Sequence, residues 1–567
     1  MRAPRLLLAS AALVAVSSPV GAARAADPIM PLSQVRQGMT CTALSVIRGT
    51  TISSFQAEIL DVVTGDPHAA GPRILVRVSG PAVDSTGVGA GFSGSPLLCP
   101  DGNGVERNAG AIAEDLGEFG NHLVLATPIE QMLGQKPEPP RSARRDPALI
   151  ARGRPLSEPL TVSGLSAPMR RVLGRAAKRA GREVLATPFG PFGGFPVQDL
   201  RPGSAVATGI STGDIGVGSI GTVTYRDGNS VWAFGHALDG VGRRSLPLQD
   251  AYVFAVIGNP VGTEGAKTYK FAVTGHTVGA FTSDTPNAGS GRLGPPPRMI
   301  PFKTTLRDEN TRKVVTISTQ VSDERNLDLD SGLGTVGTLA IGQGSIQVLG
   351  STPPRLSGSM CLRISILERP RPLGFCGSFV NVVEPLDDAA HAFALVDSFK
   401  FGRLTPVNVS ARLRLRPGAP EAFIVGARAP RRARRGQRLR IRLLLQRRRA
   451  GTQRISVFYR VPRSIRPGPH KLTIRGTVPR SPEVSFEEHL ESAFEPDPPD
   501  PGEINKVGPR SIQQLAAEIA ALRRSDGMRA TFSRSRRGRM VMPSSKVLIR
   551  GKVRLPVTII ARSRRRR

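Results

Sequence analysis

The sequence predicts a mainly β chain of several domains, and three observations carry that prediction. At 567 residues the chain is too long for one hydrophobic core, so three or more domains are expected. Its 62 glycines and 49 prolines, about a fifth of the residues, punctuate it into short runs and disfavour a helical bundle. The apolar content of 39% with 22% charged residues is enough to fold and argues against wholesale disorder.

The elements follow in chain order. Residues 1–25 read as a signal peptide. Arg2 and Arg5 supply a positive start, and Leu6 to Val16 is an apolar run too short to span a bilayer. Ala23-Arg24-Ala25 is a small-residue cleavage site, so the mature chain would be secreted or held at the cell envelope after cleavage near Ala25. Residues 27–135 have β character, with strands expected at Ala57–Val63 and Arg73–Val78, and 136–160 read as a Pro- and Arg-rich linker. Within 161–400, Met169–Ala180 has helical spacing. Ile220–Tyr225 and Ser230–Phe234 read as strands joined at Asp227-Gly228-Asn229, a hairpin turn signal.

Residues 405–490 read as a small Ig-like β-sandwich. Arg438-Leu439-Arg440-Ile441-Arg442-Leu443 alternates strictly, which is a half-buried strand with a basic outer face. Residues 491–510 are a Pro-rich linker. Residues 511–567 read as a small α/β unit with a basic tail, whose helix opens on the cap Ser511-Ile512-Gln513-Gln514 and buries Ile512, Leu515, Ile519 and Leu522.

The formal charge of +34 is lopsided. Residues 401–567 hold 40 basic and 11 acidic side chains, so the front two thirds are close to neutral. The Arg-rich C-terminal region is expected to meet an anionic cell-wall or membrane surface. Nucleic acid ranks lower, because stacking aromatics are scarce there and export removes the usual partner.

The four cysteines of an exported chain are expected as disulfides. Of three pairings, Cys41–Cys99 with Cys361–Cys376 keeps each link within one region. No Cys-x-x-Cys spacing exists and the histidines do not cluster, so neither a metal site nor a cofactor is expected.

Two motifs carry chemistry. In Gly91-Phe92-Ser93-Gly94-Ser95-Pro96 the flanking glycines let a serine hydroxyl stand clear, and the N–H groups of Gly91 and Ser93 can converge as oxyanion donors. Trp232-Ala233-Phe234-Gly235-His236 sets a histidine directly after a strand, with His276 as a competitor. Histidine is the usual base for a serine hydroxyl.

Together the motifs resemble the chymotrypsin-like serine peptidases, specifically the SpoIVB type. Gly91–Pro96 resembles that family's G-M-S-G-S-P turn, with Phe92 in place of Met. Gly221-Thr222-Val223-Thr224-Tyr225 and Phe234-Gly235-His236 resemble its strand and histidine motifs. Met30-Pro31-Leu32, Gly38-Met39, Arg48-Gly49-Thr50, Ser204–Val206, Gly213-Asp214 and Met299-Ile300-Pro301 extend the likeness over about residues 29–400.

The resemblance implies a β-barrel-type peptidase domain, permuted because Ser93 precedes His236 by 143 residues whereas the family's histidine motif comes first. It implies Ser93 as nucleophile, His236 as base, oxyanion donors at Gly91 and Ser93, and a peptide or protein substrate. The family's acid has no counterpart in Val78-Ser79-Gly80-Pro81, which leaves Asp84, Asp214 or Asp239. The alternative is a catalytically inactive, peptidase-like envelope protein that binds peptides or anionic surface polymers.

Overall fold

The computed structural model describes residues 27–65, 71–117, 119–156, 160–179, 184–186, 193–258, 268–327, 329, 331–353, 356–379, 384–418, 421–447, 450–476, 508–522, 527–533, 539–542 and 547–560. The expected signal peptide with its cleavage site, nearly all of the Pro-rich linker and the terminal arginines lie outside the described residues.

The chain is mainly β, as expected. Its first unit is a closed barrel of six antiparallel strands: β1 (Thr40–Arg48), β2 (Thr51–Thr64), β3 (Arg73–Ser79), β4 (Pro96–Pro100), β5 (Glu106–Asp115) and β6 (Leu123–Pro128). The order around the ring is β1-β2-β3-β6-β5-β4, closed by β4 pairing with β1. In β2 the alternation Phe55, Ala57, Ile59 points inward, as period-2 burial requires. Cys41 on β1 is bonded to Cys99 on β4, which staples the closing strand pair.

A second ring follows: β7 (Ala205–Gly213), β8 (Gly216–Asp227), β9 (Ser230–Ala233), β10 (Gly242–Ile257), β11 (Tyr269–Thr285) and β12 (Ala288–Leu293). Every pairing is antiparallel and the order is β7-β8-β9-β12-β11-β10, closed by β10 on β7. Numbered within each ring, this is the strand order of the first barrel. The two share a topology that no sequence repeat announces.

The second ring opens into an extension through β7. There β13 (Met299–Asp308), β14 (Val314–Ser322), β15 (Leu356–Ile366), β16 (Arg369–Phe379) and β17 (Pro406–Pro417) continue the sheet. Helices α1 (Ala167–Arg179), α2 (Leu333–Leu349) and α3 (Glu384–Asp397) share one large core with these strands. Cys361 and Cys376 are directly opposed on β15 and β16 and form the second disulfide.

Three expected boundaries shift. The 136–160 stretch is not a free linker: Arg144–Arg145 pairs with β2 and Arg154–Pro155 with β5, so it is bound to the first barrel. Residues 406–417, expected in the sandwich, join the large sheet instead.

The 405–490 sandwich and the 511–567 unit are not separate. One sheet joins β18 (Glu421–Arg428), β19 (Arg438–Arg447) and β20 (Thr452–Arg460) to β23 (Leu548–Arg550). The other joins β21 (Gly468–Gly476), β22 (Met528–Phe532) and β24 (Lys552–Ile560). Both line a single core, because neither half buries its apolar faces alone. The helix α4 (Ile512–Ala521), capped by Ser511 Oγ accepting from Gln514 N at 3.1 Å, leaves that unit and packs Leu515 and Ile519 into the large core. Among the described residues, no helix is long and apolar enough to cross a membrane.

Candidate functional site

The Ser93 turn sits at the start of β4 and its geometry is set by glycine. Gly91 and Gly94 have φ of +92° and +91°, a region costly for other residues. Phe92 N donates to Gly89 O and Ser95 N to Phe92 O, closing the turn, while Gly94 N donates to Ile112 O on β5. Its outer side is bound to the second ring. Thr222 N donates to Ser93 O at 2.8 Å, and the hydroxyls of Thr222 and Thr224 donate to Gly91 O and Gly94 O at 3.0 and 2.8 Å. The two threonines of the Gly221–Tyr225 motif are spaced by two because alternate residues of β8 face the turn. A Cβ on Gly94 would stand 1.9 Å from Thr222 O and 2.5 Å from Phe234 N, so only glycine allows the two rings to approach here.

The histidine motif enters from the same seam. Phe234 and Gly235 both have positive φ, +69° and +73°. That is routine for glycine and strained for a buried aromatic. Thr127 Oγ1, on the first barrel, donates to Gly235 O at 2.6 Å. The loop beyond is held by Asp284, fully buried, whose carboxylate accepts from the N–H groups of Leu238, Asp239 and Gly240, each at 2.8 Å. The serine turn of one barrel and the histidine motif of the other are therefore brought against each other.

His236 is buried, and its Nδ1 lies 2.7 Å from Ala237 O. A carbonyl only accepts, so Nδ1 carries the proton and Nε2 presents a lone pair. Burial pushes the imidazole down to about 4, against the bond to Ala237, with Arg73 adding to the depression. Arg73 is itself buried in an ion pair with Glu114 at 3.1 Å. Ser93 is fully buried, and among the described residues neither its Oγ nor His236 Nε2 has a hydrogen-bond partner. The two are not bonded to each other. Of the oxyanion donors, the Ser93 N–H makes no hydrogen bond among the described residues, and the Gly91 N–H points at Leu156 O over a long 3.4 Å.

None of the carboxylates expected to orient His236 does so. Asp84 Oδ1 accepts from Gly80 N at 2.7 Å in its own turn. Asp214 Oδ2 accepts from Ser318 N at 2.7 Å. Asp239 pairs with Arg244 at 2.6 Å, on the loop that Asp284 holds. Asp84 and Asp214 are spent on backbone N–H groups and Asp239 on the buried Arg244 guanidinium, which also pairs with Glu324 at 2.8 Å. The competing His276 has what His236 lacks: its Nδ1 lies 3.1 Å from the buried Asp250 Oδ2, with the Phe195 ring edge-on at 4.9 Å. Among the described residues, no three His, Cys, Asp or Glu side chains cluster as metal ligands.

Behind the turn lies a group the motifs did not announce. Lys270, on β11, is buried, and its Nζ lies 2.6 Å from Ser45 Oγ and 3.2 Å from Thr222 Oγ1. Its stem runs along Gly91, where an added Cβ would meet it at 3.0 Å, and its Nζ sits 4.5 Å from the Phe92 ring centre. The period of β11 carries the signal, since Lys270 and Ala272 share the inward register.

Comparison with protein-family models, with curated protein sequences and with solved structures returns no match.

Proposed function

We propose that this chain is an exported serine endopeptidase of SpoIVB type, with Ser93 as nucleophile and His236 as general base. The observation that carries the reading is the seam between the barrels. There a glycine-flanked serine on one and a left-handed Phe234-Gly235 step on the other present a hydroxyl and an imidazole nitrogen that are both buried without partners among the described residues. An unpartnered buried polar atom costs about 1–3 kcal/mol, and two on adjoining motifs are what a site completed by its substrate requires. Two barrels of one strand order, with the serine on the first and the histidine on the second, support the permuted chymotrypsin-like reading.

In the reaction Ser93 Oγ attacks the scissile carbonyl carbon as His236 Nε2 takes the hydroxyl proton. The oxyanion is met by the Ser93 N–H and by the Gly91 N–H released from Leu156. His236 returns the proton to the leaving amine, and water, deprotonated by the same nitrogen, cleaves the acyl-enzyme. Ala237 O holds the required tautomer but carries no full charge to balance an imidazolium. Losing that charge lowers turnover by as much as about 10⁴.

The second reading is a peptidase-like binder without turnover. Its specific support is that His236 Nδ1 meets the Ala237 carbonyl and, among the described residues, no carboxylate. A fluorophosphonate probe separates the two. Labelling of the wild type, lost in Ser93→Ala and reduced in His236→Ala, supports the enzyme. Absence of both labelling and casein cleavage, with peptide binding retained, selects the binder.

A further inference from the structure

We propose that the solvent face of the sheet β20-β19-β18-β23 docks on an anionic lipid bilayer. In β19 the side chains of Leu439, Ile441, Leu443 and Leu445 enter the core, so Arg438, Arg440 and Arg442 stand outward. Strand register fixes their neighbours: Arg460 opposite Arg438, Phe458 opposite Arg440, Arg454 opposite Leu444, and Arg428 on the far side of Arg442. Six exposed arginines thus share one face, and none makes an ion pair among the described residues. The nearest acid of that sheet, Glu421, is taken by Arg550 at 2.9 Å.

Like charges set directly opposite across a ladder are destabilising, so this face is arranged at the expense of stability. An anionic partner supplies the missing countercharge. The same face also exposes Phe423, Val425 and Phe458, with accessibilities of 39%, 55% and 45%. Cations interleaved with protruding apolar groups match the boundary between lipid headgroups and acyl chains. The match to single-stranded nucleic acid is poorer. Phe458 already has the Arg438 guanidinium over its ring at 4.2 Å, and Val425 offers no surface on which a base can stack.

The test uses the full chain with vesicles of phosphatidylcholine alone or mixed with phosphatidylglycerol, and it is independent of peptidase activity. The wild type should sediment with the mixed vesicles only, and salt should weaken the binding. Arg438→Ser/Arg440→Ser/Arg442→Ser/Arg454→Ser should lose at least about a hundredfold in affinity. Phe423→Ser/Val425→Ser should lose about tenfold. The four Arg→Lys changes, which keep charge and fold, should retain binding. Equal binding by the Arg→Ser variant while it remains folded overturns the proposal. So does failure of the wild type to bind mixed vesicles, or binding of single-stranded DNA or teichoic-type polymer in place of lipid.

Discussion

Lys270 Nζ lies 2.6 Å from Ser45 Oγ, and no carboxylate among the described residues pairs with it. Two hydroxyl relays start from this ammonium. One runs through Thr222 Oγ1 to Gly91 O, and the other through Ser45 and Ser95 to Phe92 O. Both end on carbonyls of the turn that carries Ser93, so the lysine is a positioning residue for that turn. The relays join residues of both barrels, which makes the turn rigid only when the rings are docked.

Burial pushes Lys270 down to about 7. The folded value is below the unfolded one, so the unfolded chain holds the proton more readily between pH 7 and 10.5. Stability contributed by this group is complete above the unfolded value and lost as pH falls towards 7, by at most about 5 kcal/mol. We predict that the wild type melts at higher temperature at pH 9.5 than at pH 7.5, and that Lys270→Met flattens this slope. A variant with the wild-type slope would assign the dependence elsewhere.

Gly94→Ala is expected to be among the most damaging single substitutions in the chain. The new Cβ meets backbone atoms of Thr222 and Phe234 rather than a yielding side chain, and φ of +91° is unfavourable for alanine. A loss of about 3–5 kcal/mol in urea unfolding follows from strain and lost inter-barrel packing together. Gly102→Ala, at a position with open space around it, is the matched control and should stay near wild type.

The barrels were legible as strand content, and the candidate site as two motifs, because period-2 alternation and glycine-flanked turns are local signals. The pairing of Ser93 O with Thr222 N was not, since it depends on how two separately closed rings dock. The helix α2 was also hidden. Its sequence, Leu333-Gly334-Thr335-Val336-Gly337, reads as glycine-punctuated strand, yet Gly337, Gly342 and Gly344 sit where a Cβ would strike Phe393, Met169 and Leu306. A helix buried on nearly all sides shows no polar face for periodicity to find. The missing acid was legible as an absence, whereas the carbonyl of Ala237 in its place carries no side-chain signature.

Ser93→Ala should abolish probe labelling without weakening the fold. The hydroxyl removed is fully buried and unpartnered among the described residues, so its loss relieves a desolvation penalty and opens only a small void. Unfolding free energy should stay level or rise by up to about 2 kcal/mol. A drop of similar size would mean that the hydroxyl is bonded in solution.

The pH dependence of His236 separates a base from a bystander. Its folded value, about 4, lies below the unfolded 6.5, so the unfolded chain takes up the proton first on acidification. The stability it contributes is complete above pH 6.5 and lost as pH falls through 4, about 3 kcal/mol in all. His236→Gln should therefore be less acid-sensitive than the wild type between pH 6.5 and 4, as read from melting temperature. If Nε2 is the base for Ser93, the rate of fluorophosphonate labelling should hold across that same interval and fall only near pH 4, because the neutral imidazole persists to that point. An inflection near 6.5 would instead require an imidazole in contact with water, so that the seam between the barrels would already stand open in the free protein.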